Sequence, residues 1–380
     1  LADSEKINLL VIPDLFPKFE GDVQGVFVLD YLKSVAPYCN TTVLFPRLQG
    51  TKKGITSEKT EDAIILRYSV TENKTSGFAK ATLYFKLLRG AIKEGKKLQN
   101  TDIIHAHGTI ISGTISYFLA RKKKIPFIIT EHVGPFTSVS ESFWKKTWTT
   151  FIMQRADAVL CVSEHQKNEI LSCGIKPKKI IVTNNPVDTE LFKPTAGRKT
   201  NHNILFVGRL DNFKGALRSA NAFKQIAVNY PEWKFTVVGD GEDFIPLQNL
   251  IKTTPALENR IILKGGMSKK EIANEMNRAD FLVFPSRHES FGLVIAEALS
   301  YGLPVITTNQ TAPKEFVDKE NGILISPDNE SEIRTAMEKM IKNHSSYNLA
   351  IIRSKIVSSF GFENFGKKLA DIYFSFGNKR

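Results

Sequence analysis

Short apolar runs of strand length alternate along the chain with longer stretches whose apolar residues recur every three to four positions. The runs predict strands at Ile7–Ile12, Thr41–Phe45, Ile64–Tyr68, Ile103–Ala106, Phe127–Thr130 and Ala158–Val162. After a break they resume at Asn203–Val207, Lys234–Val238, Ile261–Leu263, Phe281–Phe284, Val305–Thr307 and Gly322–Ile325. Helical periodicity fills most of the intervals, as at Leu217–Asn229 and Ser331–Asn343. Strand, crossover helix and parallel strand in succession predict an α/β, doubly wound fold.

The strands fall into two sets of about six. Between the sets lies Asn185–Asn203, with Pro186, Pro194, Gly197 and a polar run from Arg198, which reads as a linker. A chain of 380 residues is long enough for two domains, each with its own core. Ligands of open α/β sheets bind outside the carboxyl ends of the strands, so the expected site is a cleft formed by two sets of strand ends.

Composition narrows the class. Hydrophobic residues make up 42% and charged residues 24%, as in a soluble globular protein. No stretch approaches the ~18 uninterrupted apolar residues of a membrane span. The chain opens on Leu, so residues 1–5 carry little weight. With Asp3 and Glu5 and no basic stretch ahead of an apolar one, they do not read as a secretory signal. Cys39, Cys161 and Cys173 are widely spaced and odd in number, which fits free thiols in a reducing cytosol. The net charge of +13 points to an anionic partner: nucleic acid, a phosphorylated ligand or an acidic membrane surface.

The residues after each predicted strand carry the candidate chemistry. Gly208 and Arg209 follow Asn203–Val207, and Lys214 and Gly215 follow shortly after. A forked guanidinium and a mobile ammonium at a sheet mouth suit a diphosphate, although a charged surface loop has the same appearance. After Phe281–Phe284 comes Pro285-Ser-Arg-His-Glu289-Ser-Phe291-Gly292-Leu293, then a helical stretch containing Glu297. Phe291, Gly292 and Leu293 read as an opening helical turn with free N–H groups, an anion site at which Gly292 permits close approach. Glu289 and Glu297 would lie ~12 Å apart along a continuous helix. Two carboxylates at that separation fit the sugar and ribose hydroxyls of one extended ligand.

Weaker signals are Val237-Val-Gly-Asp-Gly241, a strand and turn, and Gly265-Gly266-Met267, where backbone groups would reach a nucleobase edge. In the first half, Gly21-Asp-Val-Gln-Gly25 precedes a predicted helix Val28–Val35, and Gly25 would admit a phosphate or sugar. His105 and His107 share one face of a strand by alternation, with His107 nearer its carboxyl end. No third ligand at a sensible spacing accompanies them, so no metal is expected. Thr130-Glu131-His132 ends the next strand in a similar way.

Together these residues resemble glycosyltransferase family 4, the retaining "glycosyl transferases group 1" of the GT-B fold. The likeness runs over the whole chain and is densest in residues 180–325. Glu289 to Glu297, with Phe291-Gly292 between and Ala-Leu after, is similar to the family's E-x7-E signature. Gly208-Arg209-x4-Lys214-Gly215 resembles its diphosphate-binding segment. Asn184-Asn185-Pro186-Val187-Asp188, followed by Phe192 and Pro194, resembles its interdomain segment. The resemblance implies two Rossmann-like domains facing across a cleft. Residues 1–186 would be an acceptor domain, joined by a C-terminal crossover helix at about 361–380. Residues 187–360 would be the nucleotide-sugar donor domain.

By the same resemblance, Arg209 and Lys214 bind the donor diphosphate and Glu297 the ribose hydroxyls. Glu289 sits by the donor sugar, and the N–H groups of Phe291, Gly292 and Leu293 lie near sugar and phosphate. Gly208 and Met267 complete the donor-binding set, Gly25 approaches the β-phosphate, and His107 lies at the donor sugar by the reacting centre. Pro186 stands where a glycine is common. The loop Asn309–Glu315 lacks a Gly-Gly often found facing the sugar, which leaves the sugar open.

The expected reaction is retaining transfer from a nucleoside-diphosphate sugar, UDP favoured, to a glycan or lipid-linked acceptor in cell-surface polysaccharide or glycolipid synthesis. No metal cofactor is expected, because Arg209 and Lys214 replace the cation. Basic residues crowd the first half, in a basic amphipathic helix over residues 80–97, a cluster at Arg121–Lys124 and Phe143-Trp-Lys-Lys-Thr-Trp148. They suit peripheral contact with an anionic membrane, with the protein in the cytoplasm at the inner face of the cell membrane. Equally, the apolar face of residues 78–98 would pack on the sheet and leave the lysines merely solvated. A nucleotide-sugar epimerase of the same fold is the rival enzyme. A nucleic-acid-binding protein is the distant alternative, and no known motif of that class is present.

Overall fold

The computed structural model describes residues 6–18, 22, 24–49, 54–71, 78–132, 134–195 and 201–377. The chain forms two compact units: residues 1–186 with 362–380, and residues 187–361.

The first unit contains β1 (Ile7–Pro13), α1 (Val26–Val35), β2 (Cys39–Gln49), β3 (Gly54–Lys59), β4 (Ile64–Thr71), α2 (Phe78–Lys97), β5 (Ile103–His107), α3 (Ile111–Lys123), β6 (Phe127–Glu131), α4 (Phe143–Arg155), β7 (Ala158–Cys161), α5 (Glu164–Ser172) and β8 (Ile180–Val182). Its sheet runs β3-β4-β2-β1-β5-β6-β7-β8. Every pairing is parallel except β3 with β4. Two-residue alternation along β1 divides the core: Leu10 and Ile12 join one buried cluster, and Ile7, Leu9 and Val11 join the other.

The second unit contains β9 (Asn203–Val207), α6 (Ala216–Ile226), β10 (Lys234–Val238), α7 (Phe244–Thr253), β11 (Ile261–Leu263), α8 (Lys269–Asn277), β12 (Phe281–Phe284), α9 (Leu293–Ser300), β13 (Val305–Thr308), β14 (Gly322–Ile325), α10 (Glu330–Asn343) and α11 (Leu349–Phe360). Its all-parallel sheet runs β11-β10-β9-β12-β13-β14. The last helix, α12 (Phe362–Gly377), returns to the first unit, where Phe365, Leu369 and Tyr373 pack beside Tyr31 in its core.

Three expectations need correction. The strands number eight and six, because β3 and β8 add to the first set. β3, Gly-Ile-Thr-Ser-Glu-Lys, is an antiparallel edge strand exposed along its whole length, so it carries no burial pattern to read. The first helix begins at Val26 rather than Val28, with Gly25 as its N-cap. The unit boundary falls inside the stretch read as a linker, after Pro186, and its segment 187–192 packs on the second unit. Val187 bridges to Gly361, Phe192 is buried, and its carbonyl accepts from Ser300 Oγ at 2.9 Å and from Arg353 Nη1 at 2.9 Å. Residues 196–200 of that stretch, with Gly197, lie outside the described residues, as do Asp3, Glu5, Gly21 and Val23.

Candidate active site

In each sheet the order of the parallel strands reverses once, and ligands of open sheets gather at the carboxyl end of such a switch point. In the second unit the reversal falls between β9 and β12. It sets the segment after β9, Gly208–Gly215, beside the segment after β12, Pro285–Gly292. Arg287 N donates to Phe213 O at 2.8 Å, and Arg218 Nη2 donates to Pro285 O at 3.0 Å. The two strand ends are thereby locked together.

This brings Lys214 to Glu289. The ammonium lies 2.6 Å from Glu289 Oε1, with the two side chains 23% and 12% exposed. Residues 75 apart in sequence therefore form a half-buried ion pair at the switch point. Arg209 is paired too, through its Nε to the buried Asp211, while most of its guanidinium side stays in solvent. The sequence reading saw both cations and missed that each is already held by a carboxylate.

α9 begins at Leu293, so Glu289 stands in the loop ahead of the helix and the helical spacing expected between the two acids does not apply. Gly292 is the N-cap at φ 92, a left-handed conformation that favours glycine. A Cβ there would meet Ile295 Cδ1 at 3.0 Å and Pro313 Cγ at 3.1 Å. Among the described residues nothing accepts the N–H groups of Phe291, Gly292 or Leu293. They are the donors a helix start offers an anion. The loop 309–315 closes on the same place, with Ala312 N donating to Glu289 O at 3.4 Å.

Glu297 lies within α9 and is buried, with Lys269 Nζ 3.5 Å from its Oε1. Lys269 was not foreseen; it opens α8, behind a capping box formed by Ser268 and Glu271. The two glycine turns also prove to be one structure. Gly208 N donates to Val238 O at 3.0 Å and Gly239 N to Gly265 O at 2.8 Å. Asp240 Oδ2 accepts from Gly266 N at 2.7 Å. Met267 follows directly and is half-buried.

In the first unit the reversal falls between β1 and β5. The chain leaving β1 is tied to the end of β5, with Asp14 N donating to His107 O at 2.9 Å. His105 and His107 share a face, their ring centroids 4.3 Å apart. Both ring nitrogens of His105 are engaged, Nδ1 at 2.7 Å from Tyr373 Oη and Nε2 at 2.6 Å from Thr130 Oγ1, which leaves neither for a metal. His107 Nδ1 lies 2.9 Å from His132 Nε2, and the two rings are stacked.

Burial depresses all three histidines, His105 and His132 to about 3 and His107 well below its ordinary value. The cluster is therefore neutral imidazole near neutral pH. His107 is buried while His132 is partly exposed, so of the pair His132 is the one with open surface. Nearby, burial raises Asp14 to about 6 against the opposing hydrogen bonds from Ser112, with Glu131 adding to the rise. Asp14 Oδ1 accepts from Ser112 N at 2.7 Å at the start of α3.

Gly25 has a purely structural explanation. At φ 73 it caps α1, and a Cβ would sit 2.4 Å from the carbonyl carbon of Leu15. Its missing side chain makes room for the backbone leaving β1.

Two Rossmann-like units of this topology define the GT-B class of fold. Residues 187–355 match the family described as "Glycosyl transferases group 1", and residues 42–191 match "Glycosyltransferase Family 4". An uncharacterized glycosyltransferase of Methanocaldococcus jannaschii is 30% identical over 67% of this chain and 71% of its own. The UDP-Gal:alpha-D-GlcNAc-diphosphoundecaprenol alpha-1,3-galactosyltransferase of Escherichia coli is 30% identical over 73% of this chain and 76% of its own. The solved structure of a sucrose-phosphate synthase from Thermosynechococcus elongatus matches with a TM-score of 0.80 at 18% identity, covering 97% of this chain and 98% of that one. The chain belongs to the family 4 glycosyltransferases.

Proposed function

We propose that this glycosyltransferase moves a sugar, with retention, from a nucleoside-diphosphate sugar to a glycan or lipid-linked acceptor. The observation that carries this reading is the β9/β12 switch point. There Lys214 and Glu289 meet beside the unpaired N–H groups at the start of α9, with the buried Glu297 in the same helix. A UDP-sugar is favoured because the Escherichia coli relative is named for UDP-Gal. The lipid-linked acceptor of that relative's name, and the basic first unit, support an acceptor at the inner membrane face in cell-surface polysaccharide or glycolipid synthesis. The contact proposed is peripheral, at the cytoplasmic face; among the described residues no helix is long and apolar enough to cross a membrane.

In the reaction the bond from C1 of the sugar to the leaving phosphate breaks. A bond from C1 to the acceptor hydroxyl forms on the same face, through an oxocarbenium-like state, and the hydroxyl proton passes to the departing phosphate oxygen. The chief demand is to stabilise charge on that phosphate. An ammonium has three donors, so Lys214 can hold Glu289 and a phosphate oxygen at once. The exposed guanidinium of Arg209 offers a fork to a second oxygen pair, and the α9 N–H groups complete the anion site. Glu289 accepts from the sugar hydroxyls and Glu297 from the ribose. Gly208 and Met267 border the nucleotide. In the first unit His107, neutral and paired to His132, is the side chain with hydrogen-bonding capacity at the β1/β5 strand ends, while Gly25 serves the fold by capping α1. These cations take the place of a metal ion.

The test is transfer from UDP-sugars to a polyprenyl-diphosphate sugar in the presence of EDTA. Product formed without added metal, with its anomeric configuration retained, is expected. Loss of transfer that Mg²⁺ or Mn²⁺ restores would remove the metal-free mechanism. An epimerised nucleotide-sugar without acceptor would favour the epimerase instead.

A further inference from the structure

Away from the strand ends, the first unit carries an apolar furrow with a cationic rim. α2 has two apolar ridges rather than one. Leu87 and Ala91 are buried in the core, as a packing helix requires. A second ridge, Phe85, Leu88 and Ile92, is left in part uncovered, with Phe85 63% exposed. Across from it stand Phe118 of α3, 45% exposed, and Trp148 of α4, 37% exposed. Together they line an open furrow of about 870 Å³. Trp148 is fixed there: its Nε1 donates to Thr114 Oγ1 at 2.8 Å, and its ring stacks on Phe151.

Arg89, Lys93, Lys96, Arg121 and Lys122 rim the furrow, all exposed, and among the described residues no carboxylate lines it. Glu94, on the same helix, pairs with Lys97 at 2.7 Å. At the start of α4, Phe143 and Trp144 are 74% and 79% exposed. Five cations around an aromatic and aliphatic floor complement an amphiphile with a negative head.

We propose that this furrow is a lipid-binding site, taking a hydrocarbon chain of one anionic phospholipid from the bilayer surface with its phosphate among the rim cations. It rests on the reading of peripheral membrane contact and sharpens it. Spread charge would draw the protein to any anionic surface, whereas the furrow requires a chain to enter it. It uses none of the donor-binding residues.

The test uses vesicles of phosphatidylcholine with and without phosphatidylglycerol. In the full chain carrying Trp144→Phe, Trp148 is the one exposed tryptophan left of the three, since Trp233 is buried. Flotation with anionic vesicles and quenching of Trp148 by chain-brominated lipid are expected. Arg89→Glu with Lys122→Glu should weaken binding ~100-fold, because each basic residue near such a surface contributes a several-fold factor. Phe118→Ser should abolish the quenching; Arg89, Lys122 and Phe118 are all exposed, so the fold should survive.

Equal binding to neutral and anionic vesicles overturns the proposal. So does anionic binding with Trp148 unquenched, which means adsorption by charge alone, or a furrow filled by a second copy of the chain, seen as a dimer that Phe118→Ser disperses. Transfer to a water-soluble acceptor separates the two readings. Vesicle variants that keep transfer leave both standing, and a wild type that quenches but never transfers leaves the furrow and removes the proposed donor and acceptor.

Discussion

Replacing Lys214 by methionine removes one half of the switch-point ion pair and leaves Glu289 with its carboxylate 12% exposed and unpartnered by an ammonium. A fully exposed pair is worth ~0.2–1 kcal/mol, and breaking a buried one costs ~3–5 kcal/mol. At 2.6 Å, with 23% and 12% exposure, this pair falls between those limits, so a loss of about 2 kcal/mol is expected. For a unit of this size that lowers the unfolding midpoint by ~4–8 °C. The pair with Glu289→Gln should cost less than the sum of the singles, leaving a coupling of about 1–2 kcal/mol.

The assay is thermal and urea unfolding of the wild type, both singles and the double variant in one buffer. Turnover is measured on the same four proteins. There Lys214→Met should lower kcat/KM by ~10²–10³, the scale of a lost transition-state donor. Zero coupling would show that the pair does not form in solution. Full coupling with unchanged turnover would make Lys214 a strut rather than a donor ligand.

Glu297→Gln should weaken a UDP-sugar while leaving its 2′,3′-dideoxy analogue little changed; an equal loss for both would take Glu297 off the ribose. Gly25→Ala should destabilise the first unit by ~2–4 kcal/mol, since φ is 73 and the new Cβ meets Leu15 backbone at 2.4 Å. A normal midpoint with lost donor affinity would instead give Gly25 a role in binding. Acid should unfold the first unit through its histidines. His105 is held down at about 3 against ~6.5 unfolded, so the native state binds fewer protons below that value. Its stability contribution, intact above pH ~6.5, then falls by ~1.4 kcal/mol per pH unit toward 3. Asp14, raised to about 6, works in the opposite sense below pH 6, but three depressed histidines outweigh it. His105→Gln should flatten the slope measured by unfolding between pH 6.5 and 5, and an unchanged slope would contradict the buried neutral assignment.

The parallel strands were legible because buried strands flanked by helices read as apolar runs, as Asn203–Val207 and Phe281–Phe284 do. β3 was not, being an exposed edge, nor was β8, three half-buried residues. The chemistry of the strand ends was visible residue by residue, while its pairing was not. Lys214 meets Glu289 only because β9 and β12 are neighbours, and strand order is not written in local periodicity. The same holds for Lys269 beside Glu297 and His132 beside His107. The two ridges of α2 look alike in sequence, and only packing shows that Leu87 and Ala91 are fully buried while Leu88 and Ile92 are covered in part and Phe85 is left exposed.

The β9/β12 switch point of the second unit is where we propose the donor is held. Calorimetric titration of the full chain with UDP, in EDTA, tests it most directly. The wild type should bind, and Lys214→Met and Glu297→Gln should each weaken binding about tenfold or more, while Phe118→Ser in the furrow binds as the wild type does. UDP bound equally well by all four proteins would place the donor elsewhere.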